Sequence, residues 1–94
     1  MSYNLEFREE ALKEWQKLNH SIKQPLKKKL LKVLENPRVP KNQLSGHNNR
    51  YKIKLRSAGY RLVYEVIDEQ VVVLVIAIAK RENNDVYERA DNRR

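Results

Sequence analysis

The stretch YKIKLRSAGYRLVY, residues 51–64, decides how the rest of the chain is read. From Tyr51 to Arg56 apolar and basic residues alternate strictly, the period of a strand with one face on a core and the other in water. Ser57, Ala58 and Gly59 supply a tight turn, and Tyr60 to Ile67 continues as a second strand. A four-residue turn from Arg56 to Gly59 pairs Leu55 with Tyr60 and sets Lys54 directly opposite Arg61. Tyr51, Ile53 and Leu55 then face the core together with Tyr60 and Tyr64, while Lys52, Lys54 and Arg56 point the other way. Like charges directly opposed across a strand pair are destabilising. Lys54 against Arg61, with Lys52 beside them, therefore argues for an anion collected on that face.

Toward the C-terminus, Asp68 to Gln70 is a second turn. Val71 to Ala79 is an unbroken apolar run, the pattern of a strand buried on both faces. It is far too short to cross a bilayer as a helix. Lys80 to Arg94 is polar, with a short helix expected around Asn84 to Ala90. Lys80 and Arg81 flank the basic face where the buried strand ends.

Toward the N-terminus, residues 38–50 form a loop rich in Pro, Asn and Gly, with Leu44 as its anchor to the core. Before it, Ile22, Leu26, Leu30, Val33 and Leu34 mark one stripe of a helix that Ser21 caps and Asn36-Pro37 ends. Pro25 falls just past the first turn, where it removes at most one hydrogen bond. Ala11, Leu12, Trp15 and Leu18 mark an earlier helix, with Glu9 and Glu10 suited to its positive end. Tyr3, Leu5 and Phe7 alternate as a first strand. The order predicts one α+β domain over residues 1–94: an N-terminal strand and a helical hairpin packed on an antiparallel sheet, with a short C-terminal helix.

Twenty Lys and Arg against twelve Asp and Glu give a net charge of +8, which favours a polyanionic partner such as nucleic acid. No cysteine is present, so disulfides and thiolate metal sites are excluded, in keeping with a reducing cytoplasm. The N-terminal residues lack the apolar core of a signal peptide, and no membrane partner is expected. Acids are dispersed along the chain, with only Glu65 on a sheet strand near the basic patch, which argues against a metal-dependent nuclease; no metal or cofactor is expected. P-loop, dinucleotide-binding and zinc-protease motifs are also missing.

RNA is cleavable without metal, because its own 2′-hydroxyl can attack the adjacent phosphate. Such a site needs cations to neutralise the phosphate and groups that move protons. Lys52, Lys54 and Arg61 suit the first task. For the second the chain offers two histidines, His20 in the turn between the helices and His47 in the 38–50 loop, and also Tyr87 near the C-terminus. Lys23, Lys27, Lys28, Lys29 and Lys32 form a second basic cluster on the long helix. It is either a solvated face or a further footprint on a large nucleic acid.

Taken in order, ALKEWQKL, LENPR, YKIKLRSAGYRLVYEV, VVVLVIAIAKRE and a late VY resemble the RelE toxins of bacterial toxin–antitoxin pairs, from Tyr3 to about Tyr87. The wider superfamily includes the ParE gyrase poisons, whose non-catalytic inhibition is the alternative function. The RelE resemblance implies a ribosome-dependent endoribonuclease that cuts mRNA in the ribosomal A site through 2′-hydroxyl attack. Its catalytic positions fall on Lys52, Lys54, Arg61, Arg81 and Tyr87. By this resemblance Lys54 or Tyr87 helps activate the 2′-hydroxyl, Arg61 holds the phosphate, and Arg81 stabilises the transition state. Lys80, Arg56, Arg50, His47, Lys27 and Lys28 are the expected RNA and rRNA contacts. Ser45 stands where relatives often carry a basic residue, which leaves His47 or Arg50 to take over that contact. The implied partners are the ribosome and mRNA, a RelB-like antitoxin, and operator DNA bound through the toxin–antitoxin complex.

Overall fold

The computed structural model describes residues 2–80 and 85–93. Its elements are β1 (Asn4–Phe7), α1 (Glu9–Gln16), α2 (His20–Glu35), β2 (Arg50–Leu55), β3 (Tyr60–Ile67), β4 (Val72–Lys80) and α3 (Asp85–Asn92). The strands form one sheet in the order β1-β4-β3-β2. β2, β3 and β4 make the expected antiparallel meander, and β1 adds a parallel edge strand beside β4, a neighbour the sequence left open.

The hairpin has the register the alternation demands, with Leu55 facing Tyr60 and Lys54 facing Arg61. Its turn closes through bonds from the Ala58 and Gly59 amides to the carbonyls of Leu55 and Arg56, both 3.3 Å. Gly59 takes φ +68°, a left-handed conformation that glycine adopts without steric cost.

One core lies between the sheet and the helical hairpin. Ala11, Leu26 and Leu30 pack there on Tyr51, Ile53, Leu55, Leu62, Tyr64, Val73 and Val75. Two helical details differ from expectation. Leu12 is 40% exposed, because α1 turns its Ala11 and Trp15 side toward the core and Leu12 falls off that stripe. α2 begins at His20 with Asn19, not Ser21, at the N-cap. Pro25 consequently sits inside the second turn, where its missing N–H costs one helical bond.

A second cluster occupies the opposite face of the sheet: Val63, Ile76, Ala77 and Ala79 under Val86 and Ala90 of α3, with Leu44 and Tyr87 at its margin. A β-bulge makes this cluster possible. Val63 pairs with Ala77 but Tyr64 with Val75, so Ile76 is the extra residue and both halves of β4 bury apolar side chains on both faces. α3 therefore covers the β4 side of the outer face and leaves the β2 side, with its basic residues, open beside it.

Candidate active site

Lys52 on β2 and Arg61 on β3 stand on the outer face, and Tyr87 reaches them from the first turn of α3. Together with Leu44, Ser45, His47 and Asp91 they line a cleft of about 380 Å³. Arg61 Nη1 donates to the phenolic oxygen of Tyr87 at 2.8 Å, and the guanidinium carbon lies 5.8 Å from the ring centre. The strand pairing positions Arg61, while Val86 and Ala90, buried one turn apart on α3, position Tyr87. With one Nη engaged, the rest of the guanidinium fork is available to phosphate oxygens.

Lys54, directly across from Arg61, lines an adjoining cleft of about 340 Å³ with Arg56, Gly59, Tyr60 and Arg61. A third cleft, about 420 Å³, runs from Lys52, Lys54 and Arg56 to Lys29 and Lys32 of α2 and to Lys41. The two basic clusters thus meet around the β2 edge. Lys29 and Lys32 make that join, whereas Lys27 and Lys28 are exposed elsewhere on α2 and do not line the cleft.

Other expected contacts are placed differently. Lys80 pairs in register with Tyr60 and leans over its ring at 6.0 Å, on the hairpin side of the sheet. Strand parity turns it away from Lys52, Lys54 and Arg61. Arg50 is buried, with 8% of its surface exposed. Its Nε binds Glu65 at 3.1 Å and its Nη1 donates to the Ala90 carbonyl at 2.8 Å, so it secures the C-terminal end of α3. Arg81, expected in the catalytic set, lies outside the described residues.

The 38–50 loop is tied down at several points. Arg38 donates to Asp68 Oδ2 at 2.6 Å, to Asn49 Oδ1 at 2.9 Å and to the Asn48 carbonyl at 3.2 Å. The Tyr3 hydroxyl and Arg38 together hold the Asp68 carboxyl below its ordinary range. Within the loop the His47 amide bonds to the Leu44 carbonyl at 3.2 Å, and Gly46 between them takes φ +80°. That turn delivers His47 into the cleft, where its Nε2 lies 3.0 Å from Asp91 Oδ1.

The sequence reading did not pick out Asp91, Glu14 or Arg93. Glu14 of α1 accepts from Arg89 Nη1 and Arg93 Nη1, both at 2.8 Å, and from the Ile78 amide at 3.1 Å. Arg93 also donates to the Ile76 carbonyl at 2.9 Å. β1 stops pairing at Val75, and Glu14 and Arg93 satisfy the β4 edge beyond it while fastening α3. The available signal was the Val86/Ala90 spacing, which marks an inward stripe on α3. Among the described residues no three His, Cys, Asp or Glu gather into a metal-binding group. None of the described helices is long and apolar enough to cross a membrane.

An α+β sheet with a cationic cleft completed by a C-terminal helix is a fold that presents fixed positive charge to a polyanion. A family model described as ParE toxin of type II toxin–antitoxin system, parDE, matches residues 5–85. The chain is 58% identical over 93 residues to the mRNA interferase toxin RelE of Escherichia coli K12, spanning 99% of this chain and 98% of that protein. It has the same identity and coverage with the mRNA interferase RelE of Shigella flexneri. The structure superposes on a free E. coli RelE mutant with TM-score 0.91 at 57% identity, over 99% of this chain and 98% of that one. RelE in the intact E. coli RelBE toxin–antitoxin complex matches with TM-score 0.84 at 58% identity, over 87% of this chain and all of that one. The chain belongs to the RelE family of mRNA interferases, the endoribonuclease toxins of type II toxin–antitoxin systems.

Proposed function

We propose that this chain is a ribosome-dependent endoribonuclease that cleaves mRNA in the ribosomal A site. The carrying observation is the cleft in which Lys52, Arg61 and Tyr87 converge, with Arg61 bonded to Tyr87 and facing Lys54. These are groups for binding and charge stabilisation. In the proposed reaction the 2′-oxygen attacks phosphorus, the P–O5′ bond breaks, and a 2′,3′-cyclic phosphate and a 5′-hydroxyl result. Lys52 and Arg61 neutralise the charge that builds on the phosphate, where preorganised donors act with the greatest effect. Lys54 or Tyr87 favours ionisation of the attacking hydroxyl, and Arg81 is assigned to the transition state by its sequence position. No step calls on a metal ion. The basic clefts that reach Lys29, Lys32 and Lys41 support a large nucleic-acid substrate assembly over a small free RNA.

A RelB-like antitoxin is the proposed neutralising partner, in line with the RelBE complex among the similar structures. The pair is further assigned to operator DNA as a repressor, and the site of action to the cytoplasm, where ribosomes are. Translation in a purified system with mapped mRNA ends tests the enzyme reading. Wild-type protein should leave cuts within codons only when ribosomes are present, and Arg61→Ala or Arg81→Ala should remove them. A gyrase poison, the activity of the ParE branch to whose model the chain matches, predicts whole messages and broken DNA instead.

A further inference from the structure

Attack by a 2′-hydroxyl needs an acceptor for its proton, and Lys and Arg ordinarily hold their own. The cleft contains a better acceptor. His47 lines it beside Lys52, Arg61 and Tyr87, and Asp91 lines it too. His47 Nε2 lies 3.0 Å from Asp91 Oδ1. A carboxylate only accepts hydrogen bonds, so Nε2 is the donor, and in the neutral ring that leaves Nδ1 as the acceptor. The arrangement is a base oriented by a third group, the logic shared by unrelated hydrolytic sites.

We propose that His47 and Asp91 form a proton-accepting dyad, in which His47 Nδ1 takes the proton of the attacking 2′-hydroxyl and Asp91 positions the ring. This rests on the endoribonuclease reading above. Both side chains are accessible to a substrate, at 35% and 57% exposure. Both are also held. Gln43 Nε2 donates to the His47 carbonyl at 2.9 Å, and Arg50 secures the adjoining Ala90 carbonyl at 2.8 Å while its Nη1 stands 3.6 Å from Asp91. A pair that served only to fasten α3 would duplicate Arg50 and the Glu14 contacts and would need no place in the cleft.

The step balances. The proton on O2′ passes to Nδ1 as the O2′–P bond forms. The P–O5′ bond breaks, O5′ takes a proton from water, and the imidazolium returns its proton to water before the next turnover.

The test is single-turnover cleavage of mRNA on programmed ribosomes, with ribosome affinity measured separately. His47→Gln keeps an N–H donor at the Nε2 position, and so keeps the Asp91 contact, but loses the ring acceptor. It should cut about 10²-fold more slowly, the lower end for general-base catalysis, with affinity unchanged. Free imidazole should restore part of the rate to His47→Gly. Asp91→Asn, a change at the positioning residue, should lower the rate without weakening ribosome binding. His20→Gln, at the start of α2, should cut as wild type does. Wild-type cutting rates in His47→Gln, or a loss that lies wholly in ribosome affinity, would overturn the dyad and leave the parent reading standing. Intact mRNA with the wild-type protein would overturn both.

Discussion

Arg61 Nη1 donates to the Tyr87 hydroxyl across 2.8 Å, so the centre of the sheet and the C-terminal helix complete one another's site. Each side chain is half-buried, and each is positioned partly by the other. Tyr87→Phe retains the ring and its packing but removes the acceptor. Arg61→Ala should lower cleavage by roughly 10²–10³-fold, the range for removing one donor to a developing oxyanion. Tyr87→Phe should lose less, roughly tenfold for about 1.4 kcal/mol. The double variant should lose much less than the product of the two, because both changes dismantle one unit. Cleavage rates in the four proteins measure this coupling directly, and strictly multiplicative losses would count against a shared role.

Lys54 faces Arg61 directly across the β2–β3 pair, and like charges opposed in this way repel. Lys54→Thr places a β-branched residue at the same position and removes one of the two like charges. Relief of the Lys54–Arg61 repulsion should favour the variant by about 0.5 kcal/mol in low salt, and this salt-dependent part should shrink as salt screens the charges. Cleavage should fall over the same change. Thermal melts at two ionic strengths, set beside cleavage assays, decide the matter. A variant that loses both stability and activity would show that Lys54 mainly supports the fold.

Local sequence encodes contacts between near neighbours along the chain and not those made by docking distant elements. Strict alternation in Tyr51 to Arg56 fixes a face and a register by local geometry alone, and the Leu55–Tyr60 and Lys54–Arg61 pairs follow. Lys80 shows the limit. Its place depends on which partner β4 meets after the bulge at Ile76, and that register puts it across from Tyr60 on the hairpin side. Arg50 reads as one more surface cation until α3 is docked over it. The sequence places His47 in the 38–50 loop, but its link to Asp91 spans 44 positions. No short-range pattern encodes such a contact.

Glu14 holds α3 from the far side. Burial alone would raise its pKa, but the bonds from Arg93, the Ile78 amide and Arg89, with the charge of Arg93, outweigh it and leave the carboxyl below its ordinary 4.5. A carboxyl with a depressed folded-state pKa stabilises the fold fully above the unfolded value. The contribution disappears as pH falls through the lower folded value. Glu14→Gln should therefore cost about 2 kcal/mol at neutral pH, as expected for losing charge-assisted bonds. The gap from wild type should close in acid below the ordinary carboxyl range. Paired urea melts at neutral and acid pH check both the size and the sign. Because α3 carries Tyr87, the variant should also cut more slowly at neutral pH.

Val71 offers a stability test away from the cleft. It takes φ 56° and ψ 48°, left-handed values that a β-branched residue adopts only under constraint. The constraint is visible in its backbone bonds. The Val71 amide donates to the Asp68 carbonyl at 3.1 Å, and its own carbonyl accepts from Asn4 at 2.8 Å, where β1 begins to pair with β4. The residue is 37% exposed, so a polar replacement of similar size keeps contact with water. Val71→Asn, a residue that tolerates this region, should raise stability by about 0.5–1 kcal/mol and the Tm by a few degrees. Val71→Gly relieves the same strain but frees the unfolded chain, so it should gain less than Val71→Asn. Cleavage should be unchanged in both. A lower Tm in Val71→Asn would show instead that the apolar contacts of Val71 outweigh its backbone strain.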